Sequence, residues 1–260
     1  MDLGLNDKTA IVCASSKGLG RGCALALAQA GANLVMNARS EGPLEKTANE
    51  IRSLTGANIV TIAADIKSED GRNAVLAAAN NAPDILVNNA GGPPPGDFKD
   101  FEMQDWRDAV EGNMITPLAL IKACVSGMEE RGFGRIVNIT SASVRNPIGV
   151  LELSNGARAG LTGAVASLAR RVVKSNVTIN GILPGLHDTD RIAATLEARA
   201  KAENISMDQA IAEAAASIPA AKLGAPEDFG SVCAFLCSQQ ANFITGQNLI
   251  VDGGAFYYTI

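Results

Sequence analysis

Short runs of β-branched and aliphatic residues alternate along the chain with longer stretches in which apolar positions recur every three or four residues. The runs TAIVCA (9–14), NLVMNA (33–38), NIVTIA (58–63), DILVNN (84–89), RIVNIT (135–140), VTINGIL (177–183) and NLIVDG (248–253) predict strands. Most are apolar at consecutive positions rather than at every second one, as in strands covered on both faces. Helical patterns predict helices over 19–30, 43–54, 104–130, 154–173 and 226–237. Strands alternating with helices pair in parallel through right-handed crossovers. The predicted architecture is therefore α/β, a doubly wound, mostly parallel seven-stranded sheet with helices on both faces. Such sheets bind ligands beyond the C-terminal strand ends, where the strand order reverses.

The segment 189–220, rich in alanine and charge, interrupts the alternation and reads as an inserted helical pair. No Pro/Gly/Ser-rich linker, charge run or internal repeat divides the 260 residues, so 1–260 is read as one domain with 186–220 as a substrate-covering lid. At 47% apolar and 19% charged, the chain can bury a sizeable core, and its 26 glycines suit many tight turns. A net charge of −5 offers no basic footprint for nucleic acid. No apolar run reaches the roughly 18 residues of a membrane span. The start MDLGLNDKTAIV lacks the basic and apolar stretches of a signal peptide, which points to a soluble cytoplasmic protein. Five cysteines at irregular spacing, with one histidine, read as packing residues, and no metal site is predicted.

Within this frame AIVCASSKGLGRGCALALAQAGANLVMNAR runs strand, glycine turn, helix, strand. Gly18 and Gly20 open the helix, whose backbone N–H groups suit a pyrophosphate. Folds that prefer NAD place an acidic residue about 20 residues on, to bond the ribose 2′-OH. Here that place holds Ala38, followed by Arg39, and Lys17 lies in the loop. A guanidinium without a carboxylate suits a 2′-phosphate, so the expected cofactor of this Rossmann unit is NADP(H).

Further ordered motifs carry a resemblance. ASSKGLG has Ala14 where a first glycine is usual, AADI supplies Asp65 and Ile66, and ILVNNAGG covers Asn89, Ala90 and Gly91. EGNMITP contains Asn113, GRIVNITSAS contains Ser141, and TINGILPGLHDTD contains Pro184, Gly185 and Thr189. Together with the stretch GAPEDFGSVCAFLCSQQANFITGQNLIVDGG, they make the chain resemble, near full length, the short-chain dehydrogenase/reductase superfamily, in particular its 3-oxoacyl-[acyl-carrier-protein] reductase-like branch. The resemblance implies a dinucleotide held by Ser16, Lys17, Gly18, Leu19, Gly20, Arg39, Asp65, Ile66, Asn89, Ala90, Gly91, Arg158, Pro184, Gly185 and Thr189. It implies Ser141 and Asn113 as catalytic residues, a small-molecule carbonyl or alcohol as substrate, and a homodimer or homotetramer.

The superfamily's hallmark is Tyr-x-x-x-Lys about a dozen residues beyond the serine. The two tyrosines here are Tyr257 and Tyr258. Ungapped alignment between GRIV and AGLTG puts Ser154 at the tyrosine position and Arg158 at the lysine position. Positions four apart share a helix face, and the neighbours Leu151, Leu153, Ala157 and Leu161 are apolar. Arg158 keeps the positive charge, but its own proton is unavailable. Four sources of the missing proton are open: Ser154 relaying through water while Ser141 holds substrate oxygen, His187, Tyr257 or Tyr258 from a neighbouring subunit, and Glu152. The chain thus reads as an NADP(H)-dependent oxidoreductase with Ser141, Ser154, Arg158 and Asn113 at its site. Alternatives are a catalytically silent NADP(H)-binding sensor or assembly partner, and a non-redox lyase or dehalogenase on the same fold.

Overall fold

The computed structural model describes residues 2–257. Among them β1 (Thr9–Val12), β2 (Asn33–Ala38), β3 (Ile59–Ala63), β4 (Ile85–Asn88), β5 (Gly134–Ile139), β6 (Val177–Pro184) and β7 (Asn248–Val251) form one sheet in the order β3-β2-β1-β4-β5-β6-β7. Every pair is parallel, so the expectation of a mostly parallel sheet is sharpened to a wholly parallel one. The order reverses between β1 and β4, and Cys13 N–H donates to the Val87 carbonyl across that junction.

Side chains alternate across each strand. Ala10 and Val12 enter one core with Ile85 and Val87, while Ile11 and Cys13 enter the other with Leu86. The first core is closed by α1 (Gly18–Gln29), α2 (Glu41–Thr55) and α9 (Pro226–Cys237), with Phe229 fully buried. The second is closed by α3 (Glu69–Ala78), α5 (Thr116–Arg131) and α6 (Glu152–Val172). Two buried layers explain the unbroken apolar runs of the strands. The five cysteines are free and buried, and burial pushes the Cys13 and Cys124 thiols up to about 12.

Two expectations need correction. The helix expected over 104–130 is α4 (Met103–Val110), a π-helical turn (Glu111–Ile115) and α5. Helical φ and ψ persist through Val110 and Thr116, so the apolar period carries no mark of the extra residue in the turn. Helix α3 was missed. It is short, apart from Gly71 and Val75 its residues are not fully buried, and it starts on a Ser68 cap that accepts from Gly71 N–H.

The segment 186–220 contains α7 (Asp190–Glu203) and α8 (Met207–Ala216), the expected helical pair. They bury Leu196, Ala200, Ala210 and Ala214 in a small core of their own. Among the described residues no helix is long and apolar enough to cross a membrane.

Candidate functional site

Because all strands run the same way, the loops after β1, β2, β4, β5 and β6 gather at one edge of the sheet. The loop after β1 turns at Ala14, whose φ of 47° lies in the left-handed region. A Cβ-bearing residue is strained there, and this is the place where the related motif has glycine. Ser15 fixes the turn through its N–H and hydroxyl, both donating to the Asn37 carbonyl. Helix α1 then begins with no side-chain cap at Lys17. At Gly20 a Cβ would stand 2.2 Å from the Ala14 carbonyl oxygen and 2.8 Å from Asn89 Nδ2. Only glycine lets the helix start so close to the loop, and Asn89 Nδ2 donates to that same carbonyl at 3.3 Å.

Around this turn the other expected residues fall into place with differing exposure. Arg39 is exposed at the end of β2, with no ion-pair partner among the described residues. Asp65 is exposed beyond the adjacent β3 and accepts from Lys67 N–H, while Ile66 packs into the second core. Ser16 gives its carbonyl to the Thr47 hydroxyl. Leu19 packs on the first core. Asn89 and Ala90 are half-buried and Gly91 is exposed. Pro184 ends β6, and Gly185 N–H donates to Val251. Thr189 caps α7 and lies next to Gly18. Lys17 reaches across to Asp190 at 2.7 Å, tying the glycine loop to α7. Both side chains are largely exposed, so this pair is worth roughly 0–1 kcal/mol and yields readily to a stronger anion.

The central feature lies on α6. Ser154 and Arg158 are both buried, beside Leu153, Ala157 and Leu161. Arg158 Nε donates to Ser154 Oγ at 3.1 Å, and Nη1 donates to the Ile139 and Thr140 carbonyls at 3.0 and 2.8 Å. Nη2 makes no hydrogen bond within the described residues and is not sealed from solvent. Burial, and then the Arg191 charge, pull the Arg158 guanidinium down to about 10. Ser141 lies two residues beyond the end of β5, and its Oγ accepts from Ser143 N–H at 3.1 Å. Asn113 is buried in the π-helical turn that packs on α6, with Nδ2 donating to Ala109. Single π-turns within helices are rare and occur frequently at functional sites.

The other proton-source candidates stand elsewhere. His187 is buried, packs edge-on against Phe229 at 5.3 Å and bonds the Gly185 carbonyl through Nδ1. Its other edge meets Gly224. Glu152 sits two residues before Ser154 and so faces a different side of α6, with Gly156, which lies against Trp106. Tyr257 is exposed, and Tyr258 lies outside the described residues. The reading by sequence missed Arg191. Its Nη2 donates to the Pro93 carbonyl at 3.2 Å, and its Nη1 lies over Gly92.

A family model described as Enoyl-(Acyl carrier protein) reductase matches residues 13–255. The chain belongs to the short-chain dehydrogenase/reductase superfamily. The chain is 34% identical over 259 residues to the 3-oxoacyl-[acyl-carrier-protein] reductase FabG of Vibrio cholerae, covering 98% of this chain and 99% of that one. It is 28% identical to the NADPH-dependent reductase BacG of Bacillus subtilis, covering 96% and 98%. Its fold superposes on L-sorbose reductase from Gluconobacter frateurii, solved with NADPH and L-sorbose, with a TM-score of 0.93 at 28% identity over 98% of each chain.

Proposed function

We propose that this dehydrogenase/reductase is an NADP(H)-dependent oxidoreductase interconverting a small or medium carbonyl compound and its alcohol, with Ser154 and Arg158 in place of the usual tyrosine and lysine. The observation that carries the cofactor is the cradle at Gly20: a Cβ would collide there, and the α1 N-terminus has no side-chain cap. Its N–H groups and positive end suit a pyrophosphate. Arg39, with Lys17 released from Asp190, supplies charge for a 2′-phosphate. Asp65 and Ile66 would hold the adenine end, Asn89, Ala90 and Gly91 the middle of the dinucleotide, and Pro184, Gly185 and Thr189 the nicotinamide end. NADPH relatives of the same fold support this reading.

A bound NADPH would supply the hydride that the carbonyl carbon receives. The chain must then place a proton on the carbonyl oxygen. Ser154 Oγ accepts from Arg158, which leaves its own proton for another acceptor, and the buried cation makes that hydroxyl a better donor. We assign Ser154 to pass the proton to substrate oxygen and to recover one from water, with Asn113 holding that water. Ser141, oriented by Ser143 N–H, donates to the same oxygen. His187 is assigned to packing, since neither ring edge faces this cluster. Helices α7 and α8 form the lid. The exposed apolar side chains of Phe235, Phe243 and Leu249 suit burial in a homodimer or homotetramer.

Purified protein, NADPH and a panel of ketones and aldehydes test the reading through NADPH oxidation, alongside binding titrations with NADPH and NADH. Turnover with tighter NADPH binding is expected. Tight NADPH binding with no turnover at high enzyme concentration would instead select a silent NADP(H)-binding protein, a reading favoured by the placement of both tyrosines at the C-terminus. Tighter NADH binding would reject the cofactor assignment.

A further inference from the structure

Two guanidiniums stand at the edge of the sheet that carries the site, and neither has a carboxylate within ion-pair distance among the described residues. Arg158, 8% exposed, is held by one hydroxyl and two backbone carbonyls, with Nη2 left over. Arg191 projects from the first turn of α7 onto the loop after β4, fixed by the Pro93 carbonyl and laid over Gly92. Strands β4 and β5 pair side by side, so the loop under Arg191 and the Ile139 and Thr140 carbonyls under Arg158 lie at neighbouring strand ends, where the two like charges oppose each other. Asp190, the acid beside Arg191 in the chain, is turned to Lys17. The neighbouring Pro93, Pro94 and Pro95 have no N–H to offer. Arg158 is buried and Arg191 is exposed, and a buried charge without a counter-ion from the chain is stabilised by an anion that arrives with the ligand.

We infer that the substrate carries a carboxylate, gripped by Arg191 at the lid and drawn toward the Nη2 end of Arg158. The planar guanidinium fork matches a carboxylate's two oxygens. The compound is then an oxo acid or hydroxy acid rather than a neutral ketone or sugar. The inference rests on the reductase reading given above and narrows its substrate class.

The test uses three matched pairs on the NADPH-loaded protein: pyruvate, acetoacetate and levulinate, each against its methyl ester. Calorimetry gives the binding ratio, and initial rates give the ratio of kcat/KM. At least one acid is expected to bind about tenfold or more tighter than its ester. Arg191→Met is expected to remove that preference by a similar factor, and Arg191→Lys to restore part of it. If Arg191 is only a packing residue, or holds the cofactor's phosphates, Arg191→Met lowers acid and ester together. An unmoved ratio, or acids and esters bound equally by the unaltered protein, overturns the inference. Tighter binding of dihydroxyacetone phosphate than of every oxo acid overturns the choice of carboxylate. Acid-selective binding without NADPH oxidation would reject the reductase reading while supporting the anion site. Oxidation of NADPH at equal kcat/KM for acid and ester would do the reverse.

Discussion

Arg158→Met separates two accounts of the buried guanidinium. Removing the charge relieves an unfavourable burial. Holding the guanidinium down at about 10 corresponds to about 3 kcal/mol of unfavourable burial. The same change removes donors from the Ile139 and Thr140 carbonyls and from Ser154 Oγ. Each buried acceptor left unsatisfied costs about 1–3 kcal/mol. The two effects oppose, and Met fills most of the vacated volume. Three acceptors at about 1–3 kcal/mol each, set against a relief of about 3 kcal/mol, leave an expected loss of stability between about 0 and 6 kcal/mol. The functional loss is read separately: at least about tenfold in NADPH affinity, by fluorescence titration of the folded protein, and a fall in turnover beyond that. Arg158→Lys keeps the charge and should recover part of the affinity.

Arg135 is the control. It is also buried, but every guanidinium nitrogen is bonded: Nε to Ser238, Nη1 to Gly134 and Asn176, and Nη2 to the Asn176 side chain. It also lies 4.4 Å over the Phe133 ring. It ties β5 to the chain after α9 and to the turn before β6. Arg135→Met is expected to cost about 3–5 kcal/mol with NADPH affinity intact in the folded fraction. If Arg158→Met destabilises as much as Arg135→Met and leaves NADPH binding unchanged, Arg158 is a strut of the same kind and the site reading fails.

Arg39→Asp should shift the ratio of NADPH to NADH affinity toward NADH by about tenfold or more, since a charge-assisted phosphate contact is worth about 1.5–3 kcal/mol; an unmoved ratio counts against the 2′-phosphate assignment. Ala14→Gly should stabilise by about 0.5–1 kcal/mol, because relief of about 1–2 kcal/mol of left-handed strain exceeds the added freedom of the unfolded chain; a melting temperature that falls would show that the turn is unstrained. Burial holds the His187 imidazole below its usual 6.5, so below that pH the unfolded chain takes up a proton that the folded chain refuses, and stability falls as pH falls toward the folded value. His187→Gln should flatten that acid slope in melting temperature, and an unchanged slope would contradict the assignment. Phe243, 99% exposed, should matter to assembly: Phe243→Asp is expected to lower the molar mass seen by light scattering without loss of helicity, and an unaltered mass would place the subunit contact elsewhere.

The architecture was readable because strand burial is a local property. NLVMNA matches β2 residue for residue, and PEDFGSVCAFLC matches α9, since each carries its own hydrophobic run and its own stop. The other strands are placed to within two residues at either end, where the terminal residues of runs such as NLIVDG leave the sheet to enter turns. What escaped was geometry that apolar period does not encode. The π-turn at Asn113 adds a residue without changing composition, and α3 buries too little to show a strong face.

The site was legible in a different way. Ser154 and Arg158 announce themselves because polar groups four apart amid leucine and alanine need a reason to be buried, and the reason lies in the Ile139 and Thr140 carbonyls at the end of β5. No periodicity in α6 could supply those acceptors; they come from a strand about a dozen residues earlier in the chain. Arg191 gave no such sign. An arginine in a polar, alanine-rich helix reads as one more solvated charge, and its meaning depends on Gly92 lacking a side chain, Pro93 offering a carbonyl, and Arg158 lying within reach of its field. Lys17 shows the converse. Its place in the glycine loop suggests a phosphate ligand, but nothing in the sequence shows that it also bonds Asp190, 173 residues further along. Charges are therefore the residues whose partners sequence order hides most thoroughly, because their interactions reach across loops that only the closed sheet brings together.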